Sequence, residues 1–273
     1  MKTSGADFPE VVWGEMELLG ISHYHQRGGV QPVPHGIPPG RELVELVTGG
    51  RGWVRDGDTW REVVPGHLLW HGPGAETIGR SDLEAPYRCL AVNLKTDRKK
   101  GLGIPRFSLC PDPEVVKAFT DEVVKCFFDP AFDRRVLLRY VVSRLLFWVH
   151  GSRFLQRRAE LPEAVGETLE WIDRNYARPC RVEELAKRVG WSAAHLHYTF
   201  RLHLGKSPHK MLMARRLRAA QEALASTGHP IKRVAVESGF ADASALIHAF
   251  RATQGITPTA YRKRYIGPMA KGA

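Results

Sequence analysis

The sequence has few cysteines and no long apolar run. Only four cysteines occur in 273 residues, and Cys89, Cys110, Cys126 and Cys180 form no C-x-x-C pair. This spacing fits neither a disulfide framework nor a cysteine-based zinc site, so we expect free thiols in a reducing compartment. No segment approaches the roughly 18 consecutive apolar residues of a membrane span, and residues 1–18 lack a basic-then-apolar export signal. We therefore expect a cytoplasmic protein with no membrane partner.

The positive charge is unevenly distributed. The net charge is +11, and the residues from Leu161 onward contain 18 Lys and Arg against nine Asp and Glu, which leaves the earlier part near neutral. A basic domain joined to a near-neutral one is typical of a protein that binds a polyanion. A solvated basic surface would give the same charge, so the charge alone leaves both interpretations open.

The first part of the chain, residues 1–110, has the pattern of a β domain. Short apolar runs at 43–47, 52–55 and 67–70 are separated by turn-forming residues. Asp56-Gly57, between two short apolar runs, predicts a tight hairpin. Closely spaced short strands favour a sandwich or a barrel.

Residues 111–160 change to helical periodicity. Apolar residues recur at helical intervals over 113–128 and 132–150, and Asp129-Pro130 separates the two predicted helices. The second helix is apolar over more than one stripe, so it can pack on the β domain and also form a dimer interface. We expect residues 151–161 to form a linker to the next domain.

The last hundred residues contain an internal repeat, which indicates the fold more strongly than local patterns do. Residues 182–191 match 231–240, and the match continues after an offset of one residue. The matched pairs are Leu185 with Val234, Ala186 with Ala235, Gly190 with Gly239, Leu196 with Leu246, Phe200 with Phe250, Arg201 with Arg251, Gly205 with Gly255, and Ser207-Pro208 with Thr257-Pro258.

Each copy has the physical features of a helix-turn-helix. Ala186 and Ala235 let two helices approach closely, and Gly190 and Gly239 stand at turns that need a positive φ. The expected N-caps are Ser192 and Asp242, and the expected inward-facing residues are Leu196, Phe200, Leu246 and Phe250. Arg181 stands where a capping Ser or Thr would suit the first helix.

A single helix is predicted between the copies, from Pro208 to about Ser226. Ser207 can cap it, and Gly228 and Pro230 end it. Nineteen residues make a rod of about 28 Å, which can hold two helices about one duplex turn (~34 Å) apart. Both second helices could then enter successive major grooves of double-stranded DNA.

The helix faces opposite the inward residues supply the candidates for DNA contact. The base-reading candidates are Ala194, His195, His197, Tyr198, Ala243, Ser244 and His248. The phosphate-binding candidates are Arg201, Lys206, Lys210, Arg215, Arg251 and Arg262. For each base-reading candidate, the alternative is an exposed side chain that touches only phosphate.

These residues closely resemble the AraC/XylS family of bacterial transcription regulators. The resemblance is carried by Gly190-Trp191, by Gly239-Phe240, by Phe250-Arg251 and by Thr257-Pro258 through Tyr261-Arg262, and it covers about residues 165–265. It implies promoter DNA as a partner, a homodimer, contact with RNA polymerase, and most often activation.

The front part resembles a cupin barrel more weakly. Gly29, His35, Glu42 and Gly49 fit the first cupin motif, but Ile37 replaces a histidine, and Thr77 falls at a later histidine position. Two ligands make a poor metal site, so we predict no metal, no cofactor and no catalytic residue. A cavity could still bind a small effector such as a sugar. The candidate effector residues are His35, Arg41, Glu42, Glu45, Trp53, Trp70 and His71.

The sequence thus predicts an α+β protein in three parts. A cupin-like β-barrel at 1–110 is followed by a helical dimerisation and linker region at 111–160 and an all-α double helix-turn-helix domain at 161–268. The predicted function is a ligand-responsive transcription regulator, an activator of a catabolic operon rather than an enzyme. A cupin-type metal-dependent enzyme with a nucleic-acid module is the main alternative, and an architectural or repair protein is a third.

Overall fold

A computed structural model describes residues 16–110 and 112–266. The ends of the first and last predicted domains, residues 1–15 and 267–268, lie outside that range. The chain divides into two compact units between Arg157 and Arg158, here called unit 1 and unit 2. The predicted α+β class is confirmed, because unit 1 contains antiparallel sheets followed by helices and unit 2 is helical. No helix in the described part of the chain is long and apolar enough to cross a membrane.

Unit 1 contains eight described strands in two antiparallel sheets. The strands are β1 (Met16–His25), β2 (Arg41–Gly49), β3 (Gly52–Asp56), β4 (Thr59–Val63), β5 (His67–His71), β6 (Arg80–Ser81), β7 (Arg88–Thr96) and β8 (Phe107–Leu109). The larger sheet has the order β1-β7-β2-β5-β8, and the smaller has the order β4-β3-β6. The predicted hairpin joins β3 to β4, where Asp56 pairs with Thr59 and Gly57 adopts a φ of 60°.

The larger sheet is covered on both faces. Alternate residues of a strand point to opposite faces, and in β2 Val44 and Leu46 pack against two helices while Val47 faces the smaller sheet. The two helices are α1 (Pro113–Phe128) and α2 (Arg134–Ala159). Helix α1 begins at a Pro that follows Asp112, whose carboxylate accepts from two backbone N–H groups.

The predicted linker at 151–161 is helical over most of its length, and the division between the two units falls within it. Helix α2 continues through this segment to Ala159, because Gly151 is its only helix-weakening residue and helix-forming Leu, Gln and Arg follow. Ser152 is buried, and its Oγ accepts a hydrogen bond of 2.9 Å from the backbone N–H of Leu109. This contact joins the segment to β8.

Unit 2 contains seven described helices. They are α3 (Glu163–Asn175), α4 (Val182–Arg188), α5 (Ala193–Leu204), α6 (Pro208–Ser226), α7 (Ile231–Glu237), α8 (Ala243–Gln254) and α9 (Pro258–Ile266). Helices α4 and α5 form the first helix-turn-helix, and α7 and α8 form the second. Helix α6 joins them with the predicted bounds. Each copy has its own buried core, centred on Phe200 in the first and on Phe250 in the second.

Candidate nucleic-acid interface

The second helices of the two copies are matched in length and in capping. Helices α5 and α8 contain 12 residues each. The Ser192 hydroxyl accepts from the N–H of His195 at 3.2 Å, and the Asp242 carboxylate accepts from the N–H of Ala245 at 2.8 Å. Both helices end at a glycine with positive φ. Sequence-local signals therefore fix both ends of each helix.

Buried residues fix the rotation of each helix about its own axis. Leu196 and Phe200 are fully buried among side chains of α3, α4 and α6, which include Val165, Ile172 and Leu185. Leu246 and Phe250 have the same role in the second core. Since these residues are one turn apart, they define the inward face of α5 and of α8. The opposite faces are directed to solvent.

The solvent faces of the two helices carry corresponding residues. On α5 the face is formed by Ala194, His197, Tyr198 and Arg201, and on α8 by Ser244, Ile247, His248 and Arg251. The members of each set are spaced i, i+3, i+4 and i+7, which places them in one stripe. Tyr198 is 66% exposed and stands well out of the surface. We call these two stripes the reading faces.

The remaining base-reading candidates lie at the margins of these faces. His195 is exposed, and its ring lies 4.4 Å from that of Trp191. Ala243 is half-buried in the first turn of α8. Leu202, one turn after Tyr198, is 64% exposed and was not predicted. An apolar residue that falls outside the inward pattern of Leu196 and Phe200 is the signal that could have identified it.

Four of the phosphate-binding candidates are exposed beside the reading faces. Arg201 and Arg251 lie at matched positions on α5 and α8, and Lys206 and Lys210 lie between α5 and the first turn of α6. Lys210 follows the Ser207 N-cap, at a helix end whose N–H groups favour a phosphate. These cations can supply affinity that does not depend on base sequence.

The structure gives Arg215 and Arg262 intramolecular partners instead. The Nε of Arg215 lies 3.2 Å from a carboxylate oxygen of Asp173, and its guanidinium lies 4.1 Å from the centre of the Tyr176 ring. Arg262 donates from Nη2 to the carbonyl oxygen of His229. Arg215 therefore connects α6 to α3, and Arg262 connects α9 to the loop between α6 and α7.

The acidic residues of unit 2 are concentrated on two helices. Six of the nine Asp and Glu after residue 160 lie on α3 and α4, namely Glu163, Glu167, Glu170, Asp173, Glu183 and Glu184. Helix α3 packs against the inward face of α5 through Val165 and Ile172. Its acidic surface is therefore separated from the first reading face by the core.

In unit 1, two of the effector candidates form a buried pair. The Nε2 of His71 lies 2.9 Å from a carboxylate oxygen of Glu45, and the Cys89 thiol lies 3.8 Å from the other oxygen of the same carboxylate. All three residues are buried. Burial raises the pKa of the Cys89 thiol well above its ordinary value. The Nδ1 of His71 has no hydrogen-bond partner.

Two other effector candidates meet on the opposite face of the larger sheet. The Glu42 carboxylate accepts from the indole N–H of Trp70 and from the backbone N–H of Leu102. Glu42 is only 2% exposed, and burial raises its pKa. Glu42 and Trp70 line a cavity of about 210 Å³ together with Lys100 and Arg106.

The other three effector candidates, His35, Arg41 and Trp53, are not part of the Glu45–His71 pair or the Glu42–Trp70 pair. His35 and Arg41 are exposed. Trp53 faces away from the smaller sheet's buried side and lines an open groove with Trp60 and Arg80. The Arg80 guanidinium lies 4.0 Å from the centre of the Trp60 ring.

The residues that fit the cupin motif do not converge on a metal site. Within residues 16–110 and 112–266, no three His, Cys, Asp or Glu side chains are grouped so as to hold a metal ion. His35 is exposed at the surface, while Glu42 is buried and already accepts two hydrogen bonds. No step of a mechanism can be derived through a cupin metal.

Comparison with known proteins identifies the repeat. A family model described as a helix-turn-helix domain matches residues 185–264. The regulatory protein SoxS of Salmonella typhimurium is 30% identical over 96 residues, which cover 35% of this chain and 90% of that protein. The raffinose operon transcriptional regulatory protein RafR of Pediococcus pentosaceus is 27% identical over 132 residues.

This chain spans about half of RafR, since the match covers 47% of each protein. Among solved structures, the DNA-binding domain of AdpA in complex with a target DNA is 29% identical, with a TM-score of 0.38. That match covers 41% of this chain and all of that domain. The relatives are regulators, which favours a regulator over the enzyme alternative. The tandem repeat and the match to nearly all of SoxS show that the chain belongs to the AraC/XylS family of bacterial transcription regulators.

Proposed function

We propose that this protein binds promoter DNA by inserting α5 and α8 into successive major grooves, and that it thereby regulates transcription. The observation that carries the proposal is the pair of matched reading faces, because two helices with the same inward residues expose corresponding residues outward. A protein-binding three-helix fold would need only one such unit. The surplus of basic residues in unit 2 supports a polyanionic partner.

Within this proposal, the two reading faces discriminate bases and the flanking cations position the protein. Tyr198 and His197 are the two aromatic-ring side chains of the first reading face, and Ser244 and His248 supply hydrogen-bonding groups on the second. Ala194, His195 and Ala243 offer contacts at the helix starts. Arg201, Lys206, Lys210 and Arg251 contact phosphates. We assign Arg215 and Arg262 a structural role.

Binding-site selection from random duplex DNA tests the assignment of base readers. The wild-type protein should enrich a site with two boxes about one helical turn apart. The double variant His197→Ala/Tyr198→Ala should relax preference in one box and leave the other unchanged. Glu222→Ala, an exposed change on α6, is the matched control and should enrich the wild-type site. Unchanged preference in the double variant would refute base reading by α5.

The proposed homodimer uses α2. Val136, Tyr140, Phe147 and Phe154 are all exposed and are spaced by four and seven residues, as in a helix–helix seam. Arg139 and Arg144 flank this stripe, so two copies would bring like charges together, and salt should tighten the dimer by screening them.

Sedimentation of the full chain at low and high salt tests the dimer. Phe147→Ser should weaken the dimer. Phe128→Ser is the matched control and should not weaken it, because Phe128 lies outside α2 but is as exposed as Phe147 (69% against 67%). Equal effects of the two changes would place the interface elsewhere.

We further propose that unit 1 binds a small polar effector and that this protein activates a catabolic operon through RNA polymerase. The cavity beside Glu42 and Trp70 supports the effector, because its lining combines an indole ring, held in place by the Glu42 carboxylate, with the cations Lys100 and Arg106. A relative named for a raffinose operon supports a sugar. A thermal-shift screen with mono- and disaccharides tests this, with Glu42→Ala as the variant that should lose the response.

A further inference from the structure

We propose that the turn of the second helix-turn-helix unit, which packs on the loop of residues 176–181 and on Arg216 of α6, locks the two units in one orientation, and that Arg216 and Gly239 are the positioning residues of this contact. The inference rests on the proposed function for its consequence on DNA. The contact itself joins the turn of the second unit to the loop of residues 176–181, which precedes the first unit. Three observations support it. They are a guanidinium clamp, a close approach of two backbone segments, and a difference between the two copies of the motif.

The guanidinium clamp is formed by Arg216 on α6. Its Nε donates to the carbonyl oxygen of Tyr176 at 2.7 Å, and its Nη2 donates to that of Arg178 at 2.8 Å. Carbonyl groups at the end of a helix lack partners within that helix, and Tyr176 lies at the end of α3. Arg216 is half-buried, and this burial lowers the pKa of its guanidinium. Arg216 is therefore directed into the protein, in contrast to Arg218, which is exposed on the same helix.

The close backbone approach is made by Gly239, at the turn between α7 and α8. A Cβ at this position would lie 2.7 Å from the carbonyl oxygen of Tyr176 and 2.9 Å from the Cα of Ala177. It would also lie 2.8 Å from the Nε of Arg216. Two of these three neighbours are backbone atoms, which cannot turn aside as a flexible side chain can. The second turn therefore lies directly on the 176–181 loop, and only glycine leaves room for it.

The asymmetry appears at the equivalent glycine of the first copy. Gly190 has nearly the same conformation, with a φ of 69° against 84° for Gly239, but nothing lies within 4 Å of where its Cβ would stand. The turn geometry needs glycine in both copies, whereas the close packing is found only in the second. This difference separates a local requirement of the motif from a contact between the two units.

The consequence for DNA concerns the spacing of the two boxes. A helix such as α6 fixes the distance between its ends, and the packing of the second turn on the 176–181 loop also resists rotation of one unit about the helix. Inserting one base pair between two boxes separates them by about 3.4 Å and rotates one by about 35°, since a duplex turn contains 10–10.5 base pairs. A locked protein cannot follow this change without breaking a contact. A protein free to rotate can follow part of it.

The experiment compares Arg216→Met with the control Arg218→Met in the full chain. The probe is the two-box duplex enriched by the wild-type protein from a random library, together with the same duplex carrying one inserted base pair. We expect the insertion to weaken wild-type and Arg218→Met binding at least ~30-fold. We expect Arg216→Met to bind the parent duplex about fivefold more weakly and to lose no more than about fivefold on insertion.

A second measurement tests in the absence of DNA whether the contact forms. Amide hydrogen exchange in residues 176–181 and 237–242 should accelerate at least ~10-fold in Arg216→Met and stay unchanged in Arg218→Met. Equal sensitivity to the insertion in all three proteins, or unchanged exchange in Arg216→Met, would overturn the lock. If the wild-type protein enriches no two-box duplex, the proposed function fails, while the exchange measurement still decides whether the contact exists.

Discussion

Replacing each turn glycine with alanine should destabilise unit 2 by clearly different amounts. Gly190→Ala places a methyl group in open space, so its cost is that of a left-handed alanine, about 1 kcal/mol. Gly239→Ala carries the same conformational cost. Its methyl group also overlaps the carbonyl oxygen of Tyr176 and the Cα of Ala177, which must move apart. Such overpacking costs about 1–3 kcal/mol more.

The expected difference between the two variants is therefore about 2 kcal/mol. For a unit the size of unit 2, this corresponds to about 8 °C in the midpoint of thermal unfolding. Scanning calorimetry of the full chain measures it, because the transition that moves in either variant belongs to unit 2 and the other serves as an internal reference. Equal shifts would refute the reasoning, since they would mean that the second turn is as open as the first.

Three other predictions concern the cores, the DNA contacts and pH. Phe200→Ala and Phe250→Ala should each cost about 3–5 kcal/mol in urea unfolding, because each empties the core of one copy; a loss below about 1 kcal/mol would contradict the assigned burial. Arg201→Ala and Arg251→Ala should each reduce the slope of log affinity against log salt by about 1, and an unchanged slope would exclude phosphate contact. Burial raises the pKa of Cys89 above 9, so the unfolded thiol ionises first and the stability it contributes is lost as pH rises beyond 9. Cys89→Ala should flatten that decline in urea titrations of the full chain, and identical slopes would contradict it.

The elements with local signals could be predicted with their bounds. Helix α1 begins at Pro113 after an aspartate cap, and α6 begins at Pro208 after a serine cap. The signals that start both helices therefore lie within a few residues of sequence. The reading faces could also be predicted, because the burial of Leu196 and Phe200 fixes which side of α5 is exposed. These are short-range properties of one helix.

The features that depend on distant residues could not be predicted. In α2, Ser152 follows Gly151 and accepts a hydrogen bond from β8, a contact which no local pattern reveals. Arg215 is a cation in a basic segment, as a phosphate-binding residue would be, but it forms an ion pair with Asp173 on α3. The sequence alone does not distinguish a cation that binds a nucleic acid from one that pairs with another helix.

The tryptophans of unit 1 show the same limit in a sheet. Trp53 and Trp70 both lie on predicted strands, but Trp70 faces the helices and Trp53 faces solvent. Alternation along a strand assigns residues to two faces without indicating which face the rest of the protein covers. The register between strands, which pairs Val44 with Trp70, is equally a property of the folded sheet.

The gathering of acidic residues on α3 and α4 has a kinetic consequence. The carboxylates of α3 lie across the first core from the exposed face of α5, which carries Arg201, so acidic and basic side chains are found on opposite sides of that core. In the proposed complex, a phosphate backbone would be attracted to the basic side and repelled by the acidic side, so we expect the two molecules to meet in an orientation close to that of the complex. We therefore expect this arrangement to accelerate encounter with DNA, and the gain should fade as ionic strength rises.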